Sequence, residues 1–174
     1  MGSWEDRLGM LLMVRGDMYT VDVNQLWEYH VPEPAAAEHE VLFVQDKLGV
    51  KLSQDYIDFL CHANGWKCFY QRVDLFGTYD LCGDLLCSAY RMLNIELMSN
   101  GELHDFGQSL LPVALSRDDK DLFVLVVAEG ESFGSVFWLA GGEVERFASF
   151  ADFFDAMIEY NNADLLDLLS GSVG

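Results

Sequence analysis

The segment LGVKLSQDYIDFLCHANG, residues 48–65, carries the clearest structural signal in the chain. Gly49 predicts the end of one helix, because glycine adopts the left-handed conformation that closes helices at little cost. Ser53 predicts the N-cap of a second helix, whose apolar residues recur at helical spacing. Asn64-Gly65 supplies another left-handed stop. The segment therefore predicts two helices separated by a tight turn.

The chain before this segment predicts a further helix and an irregular stretch. Pro34 and the three alanines after it favour the start of the helix that Gly49 ends. Ser3 with Asp6 resembles a capping box, and the apolar residues that follow predict a first helix to about Arg15. Between these two helices we expect turns and irregular structure. The expected organisation is an N-terminal helix and irregular segment at 1–33, a core domain at 34–162, and a short C-terminal helix and tail at 163–174.

The chain after the segment predicts strands, a helix, more strands and two final helices. Lys67 to Phe76 is rich in aromatic residues and predicts one or two short strands. Residues 81–99 predict a helix stopped by Asn100-Gly101. Ser149 predicts the cap of a helix with an aromatic stripe, followed by a short helix at 165–169. Short runs rich in Val, Phe and Trp predict an antiparallel meander of about four strands at 110–115, 122–128, 135–139 and 144–147.

This order of elements predicts an α+β fold. We expect a single domain with a mainly antiparallel sheet of about four to six strands packed against helices. The run Leu122–Val127 is apolar throughout, so it is expected to be a central strand covered on both faces. A chain of 174 residues without repeats or a Pro/Gly/Ser linker fits one such domain.

Several of these residues, in this order, resemble the SUKH superfamily of Smi/Knr-type domains. The resemblance covers roughly residues 36–161. The chain departs from the family pattern at Ser53, where proline is usual, and at residues 118–121, which replace a glycine often found before the apolar strand. The matching motifs are Leu48-Gly49, Leu52-Ser53, Asp55-Tyr56, Phe59-Leu60, Asn64-Gly65, Leu111-Pro112, Leu122–Val127, Gly134–Trp138 and Ser149–Phe154.

The resemblance implies a protein-binding scaffold rather than an enzyme. The family includes bacterial immunity proteins, fungal cell-wall-synthesis regulators and some viral proteins. Its shared residues stop helices, cap them and fill the core, so the partner-binding surface is expected to vary among members. The resemblance favours an immunity protein that occludes a cognate toxin, in this family often a nuclease. The alternatives are a phage or viral member that binds a host protein, and a regulatory scaffold.

The charge of the chain narrows the class of partner. There are 29 acidic and 10 basic residues, for a formal net charge of −19, and the acids are spread along the chain. Such a surface repels phosphate backbones and anionic membranes, while it attracts basic proteins. We expect a basic protein partner, either a toxin or a host protein, with no direct nucleic-acid or membrane contact, and a monomer or weak dimer. The alternative is that the charge serves solubility alone.

The reactive residues do not form a recognisable site in the sequence. Adjacent helix positions point about 100° apart, so Cys61 and His62 are not expected to share a proton. The four cysteines lack the spacing of a structural zinc site, and no secretory signal precedes them, so we expect reduced thiols in the cytoplasm. The acids at 118–121 are expected to form a solvated turn rather than a catalytic pair or calcium site. We therefore predict no catalytic residue, no cofactor and no metal.

Aromatic residues beside acids suggest where a basic protein would bind. Rings anchor such interfaces, and carboxylates line their rim. The alternative for the aromatic residues is ordinary core packing. The predicted partner-binding residues are Trp66, Tyr70, Tyr79, Asp80, Asp84, Asp118, Asp119 and Asp121.

Overall fold

A computed structural model of the chain describes residues 2–99 and 109–171. The described residues form six helices and six strands around one continuous hydrophobic core. In chain order these elements are α1 (Trp4–Val21), α2 (Glu38–Leu48), α3 (Gln54–Leu60), β1 (Trp66–Tyr70), β2 (Val73–Leu75), α4 (Thr78–Leu81), α5 (Asp84–Ser99), β3 (Leu110–Ser116), β4 (Leu122–Val126), β5 (Val136–Leu139), β6 (Glu143–Phe147) and α6 (Phe150–Ser170).

The six strands form one antiparallel sheet in sequence order, β1-β2-β3-β4-β5-β6. The predicted meander is therefore confirmed, and β1 and β2 extend it at one edge. All five residues of β4 are buried, which confirms that the apolar run from Leu122 forms a central strand. Helix α5 packs against β3 and β4, while α6 contacts β1 and β6. The α+β fold class is thus confirmed.

An aromatic cluster joins the helices at one side of the core. The Trp4 ring lies 5.6 Å from the Phe59 ring and 5.4 Å from the Phe154 ring, measured between centroids. Phe150 completes the cluster, with its ring 4.7 Å from that of Tyr56. Helix α1 is therefore part of the core.

Two helix starts agree with the predicted capping residues. The Ser3 hydroxyl accepts a hydrogen bond from the Asp6 backbone N–H, and the Asp6 carboxylate accepts one from the Ser3 N–H, which completes a capping box. The Ser149 hydroxyl accepts a bond from the Asp152 N–H. Gly49 closes α2 with φ +64°. These signals are local, which is why the sequence reveals them.

Several predicted boundaries are wrong. Helix α1 continues past Arg15 to Val21 because Met18 extends its buried stripe. Helix α2 begins at Glu38 rather than Pro34, since the Ala36 N–H donates to the Leu60 carbonyl and holds the preceding residues out of the helix.

The other differences concern helix continuity. The helix predicted over 81–99 is α5, which begins later, at Asp84, because Cys82 and Gly83 separate it from the short helix α4. The two helices predicted at the end of the core are one, because α6 runs without interruption to Gly171, which closes it with φ +70°. The predicted stop at Asn100-Gly101 lies outside the described residues.

Candidate partner-binding surfaces

Two of the predicted partner-binding aromatics lie in the core. Trp66 has no exposed surface, and its indole N–H donates to the His30 carbonyl at 2.8 Å. Tyr70 is 8% exposed and packs beside Trp138 and Tyr160. Although β1 is an edge strand, α6 and the segment around His30 cover these rings. Neither side chain is available to a partner in this conformation.

Tyr79 is the predicted residue that stands out most from the surface. Its side chain is 87% exposed, and nearby Phe43 is 61% exposed. Both line a groove of about 500 Å³, which we call the Tyr79 groove. Its lining residues are His39, Glu40, Phe43, Val44, Asn64, Thr78, Tyr79 and Cys82.

The base of the Tyr79 groove is held by hydrogen bonds. The Asn64 side chain accepts a bond from the Thr78 N–H at 2.7 Å and donates to the Thr78 hydroxyl at 2.8 Å. The Asp80 carboxylate accepts a bond from the Gly77 N–H at 3.0 Å. A Cβ on Gly77 would lie 2.0 Å from the Asn64 carbonyl oxygen, so only glycine fits there. Tyr79 therefore projects from a fixed platform.

The acids beside Tyr79 have different environments. Asp80 forms an ion pair with Lys67, with 2.9 Å between Oδ1 and Nζ, so part of its charge is balanced within the chain. Asp84 is exposed in the first turn of α5, where the helix dipole favours a negative charge. Of these two acids, only Asp80 forms an ion pair with another of the described residues.

The three predicted acids of the β3–β4 turn lie together. Asp118, Asp119 and Asp121 line a cleft of about 220 Å³ that also includes Trp27 and Arg72. We call this the turn cleft. The aromatic ring beside these acids is that of Trp27, which was not among the predicted partner-binding residues.

The acids of the turn cleft are not equivalent. Asp118 pairs with Arg72, while the Asp119 carboxylate accepts a bond from the Lys120 N–H. Asp121 accepts a bond from the Trp138 indole N–H at 2.7 Å. Burial raises the pKa of Asp121, the indole bond opposes this effect, and the Asp119 charge adds to it. Asp121 therefore supports the fold as well as lining the cleft.

The residues before Trp27 are organised by one carboxylate. Asp22 accepts hydrogen bonds from the Leu26 and Trp27 backbone N–H groups and from the Tyr29 hydroxyl. Burial acts to raise the pKa of Asp22, but these bonds outweigh it and the pKa is lowered. The segment predicted as irregular is thus a fixed loop. Its order depends on contacts several residues apart, and periodicity does not reveal these.

Cys61 and His62 do not form a thiol–imidazole pair. The His62 Nδ1 donates to the Asp58 carbonyl at 2.7 Å, and its Nε2 lies 3.1 Å from the Glu5 carboxylate. Both ring nitrogens are therefore engaged away from the sulfur. Burial and the nearby Asp58 charge raise the pKa of the Cys61 thiol, which disfavours the nucleophilic thiolate.

One group of possible metal ligands was missed by the sequence argument. Glu28, His30 and Cys68 offer a carboxylate oxygen, an imidazole nitrogen and a sulfur atom, all within 4.8 Å of one another. The Glu-x-His spacing was visible in the sequence. Cys68 comes from β1, and no local pattern links it to that pair.

Comparison with known families identifies most of the chain. The model of the SMI1 / KNR4 family (SUKH-1) matches residues 35–156. That range begins just before α2 and ends inside α6, so it contains the whole sheet. A search of curated proteins found no match. Among the described helices, none combines the length and apolar character required to cross a bilayer.

Proposed function

Since the chain belongs to the SMI1 / KNR4 family (SUKH-1), we propose that it is an acidic protein-binding module. More specifically, we propose that the protein is an immunity protein. It would bind a basic toxin, such as a nuclease, and occlude the surface through which the toxin acts. The protein acts, in this proposal, in the cytoplasm and as a monomer or weak dimer. It involves no catalysis by the chain itself.

The Tyr79 groove is the observation that carries this proposal. An exposed tyrosine on a rigid platform loses little conformational freedom on binding, which is why such rings anchor interfaces. The groove is lined by the acidic residue Glu40 and lies on a chain of net charge −19, so its occupant is a basic protein segment that also packs an apolar side chain against Tyr79. The turn cleft, with Trp27 and three acids, is a second contact region for the same class of partner.

Occlusion of a nuclease follows from the same electrostatics. Protein surfaces that bind phosphate are basic, so a strongly acidic protein is attracted to them. It presents carboxylates where the phosphates would lie. Association is therefore expected to be fast at low salt. Its affinity is expected to fall as the salt concentration rises from about 50 mM to about 500 mM.

The experiment compares the wild type with two surface variants. Affinity capture followed by mass spectrometry identifies the partner, and its affinity is then measured for Tyr79→Ala and for Met98→Ser. Met98 is 90% exposed on α5, outside the groove, and serves as the matched control. We expect Tyr79→Ala to weaken binding at least tenfold, as for an interface hot spot. Equal affinities for both variants would exclude the groove.

The identity of the partner separates the immunity proposal from its alternatives. A toxin encoded beside this chain, whose activity is blocked in a co-expression growth assay, supports the immunity role. Capture of a host protein supports the phage or viral reading, and capture of a signalling protein supports a regulatory scaffold. An affinity that does not change with salt would contradict the electrostatic argument in every case.

A further inference from the structure

The cluster of Glu28, His30 and Cys68 has the composition of a transition-metal site. We propose that these three residues bind a divalent ion of the zinc class, with the fourth position open to water or to a partner's side chain. The three donor atoms already lie within 4.8 Å of one another. Thiolate and imidazole select zinc-like ions over calcium and magnesium, which prefer oxygen ligands alone.

The three donor atoms need to move only a short distance to coordinate an ion. Tetrahedral zinc bonds of about 2.0 to 2.3 Å place neighbouring ligand atoms about 3.3 to 3.8 Å apart. The Glu28 carboxylate and the His30 Nε2 are 3.0 Å apart, close to that range. Glu28 and His30 are both exposed, so their side chains can adjust.

The backbone on both sides of the cluster is anchored. The Arg15 guanidinium donates to the Glu28 carbonyl at 2.6 Å, and the Trp66 indole donates to the His30 carbonyl at 2.8 Å. Tyr29, between them, packs its ring against Arg15 instead. These bonds hold the backbone of Glu28 and His30 in place, while both side chains can still adjust around an ion.

Cys68 occupies an unusual position in the sheet. It lies in β1 where the register shifts, and its φ of +49° is one that non-glycine residues rarely adopt. The Asp74 carboxylate holds this conformation by accepting the Cys68 N–H at 2.9 Å. The Cys68 side chain is fully buried, and no hydrogen bond from the described part of the chain reaches its sulfur. A strained, buried and unpartnered thiol beside two ligands is the second observation behind the site.

The charges around the cluster allow a dication. A thiolate and a carboxylate together carry two negative charges, which a divalent ion balances. Arg117 is a cation beside the cluster, and its Nε pairs with Asp74 at 3.0 Å. Its Nη1 lies 3.3 Å from the Glu28 carboxylate, where it also orients that ligand. Arg15 is a second cation beside the cluster: its Nη2 donates to the Glu28 carbonyl at 2.6 Å, and its other contacts are with Tyr29 and Asn161.

Cobalt(II) is the probe for this site, because it replaces zinc and reports its ligands by absorption. The purified, chelator-treated, tag-free chain is titrated with cobalt(II) under reducing conditions. We expect a thiolate-to-cobalt charge-transfer band with tetrahedral d–d bands, both removed by added zinc. Cys68→Ser is expected to abolish the charge-transfer band, and His30→Ala to weaken cobalt binding at least tenfold. Cys87→Ser, which changes an exposed cysteine of α5, is the matched control and keeps the full spectrum.

The outcomes are decisive even if one variant is unstable. Circular dichroism reports whether Cys68→Ser folds; if it does not, His30→Ala decides, since its exposed ring can be removed while its carbonyl still accepts the Trp66 bond. The absence of a charge-transfer band in the wild type would overturn the proposal. So would an unchanged spectrum in His30→Ala. Neither result bears on partner binding through the Tyr79 groove.

Discussion

Ser53 shows how a residue of the right type can play a different part from the expected one. Its backbone forms the N-cap of α3, but its hydroxyl makes no capping bond and is buried without a hydrogen-bond partner among the residues that the structure describes. Serine therefore starts this helix through its backbone conformation rather than through its side chain. The sequence predicts the position of the cap correctly, but it does not reveal that the hydroxyl is turned into the protein.

Ser53→Pro is expected to stabilise the chain. The φ of Ser53 is −67°, which is the value that proline imposes, and its N–H donates no hydrogen bond within the described residues. The ring restricts the unfolded chain, so the free energy of unfolding is expected to rise by about 0.4 to 1 kcal/mol. Urea denaturation measures this, and Ser53→Ala separates the loss of the hydroxyl from the effect of the ring. A less stable Ser53→Pro would show that the surroundings of Ser53 have no room for the ring.

Asp121→Asn separates the structural role of this residue from its charge. The amide oxygen still accepts the Trp138 N–H, while the partly buried charge is removed. We expect a gain in stability of no more than about 0.5 kcal/mol at neutral pH, because the carboxyl keeps part of its hydration. Asp121→Ala, which leaves the indole N–H without its acceptor, is expected to lose about 1 to 3 kcal/mol.

The stability gained in Asp121→Asn is expected to depend on pH, with a definite sign. The folded pKa of Asp121 is raised, mainly by burial, so folding favours the protonated acid and the ionised form weakens the fold. As the pH falls through the raised pKa, the wild-type carboxyl becomes neutral. The difference between the wild type and Asp121→Asn should therefore shrink on acidification, as followed by urea denaturation. A difference that grows at low pH would contradict this assignment.

At the scale of elements, α1 belongs to the core although the family match does not include it. The match starts at residue 35, yet Trp4 of α1 is 8% exposed and packs against rings from α3 and α6. Arg7 adds a two-bond contact to Asp155 of α6, at 2.7 and 2.9 Å. We infer that α1 closes the end of the core that α3 and α6 leave uncovered.

Trp4→Ala tests whether α1 is required for the fold. Removing a buried indole from an aromatic cluster is expected to lower the free energy of unfolding by about 3 to 5 kcal/mol. Met13→Ala is the matched control on the same helix, since Met13 is 63% exposed and its loss is expected to change stability by less than about 0.5 kcal/mol. Denaturant titration of both variants gives the comparison. Equal effects would mean that α1 contributes little through its buried face.

The elements that the sequence predicted well are those with a local cause. The Gly49 stop, the Ser149 cap and the apolar run of β4 each depend on neighbouring residues, and each lies where it was expected. The elements predicted poorly depend on distant contacts. The start of α2 is set by the Leu60 carbonyl, and the burial of Trp66 is set by packing of the His30 segment. For the same reason, the position of Trp27 in the same cleft as the turn acids was not predictable from sequence spacing.

At the scale of the molecule, the net charge is expected to lower the stability of the fold while it favours the binding of a basic partner. With 29 acids and 10 basic residues, the folded chain repels itself more than its unfolded form does. We expect the melting temperature to rise by a few degrees as sodium chloride increases from about 20 mM to about 500 mM, because screening relieves this repulsion. A double variant, Glu131→Gln with Glu159→Gln, removes two exposed charges and should show a smaller rise.

The salt dependence of the melting temperature and that of the affinity, measured together, show whether salt weakens binding by screening charge or by unfolding the protein. Ion pairs such as Arg7–Asp155 are weakened by salt, so a falling melting temperature would mean that they outweigh the general repulsion. If the melting temperature rises with salt while the affinity for the partner falls, the complex dissociates although the fold becomes more stable. In that case the loss of binding reflects screening between the acidic surface and its basic partner. Differential scanning fluorimetry of the free chain and titration calorimetry of the complex, in the same buffers, give both quantities.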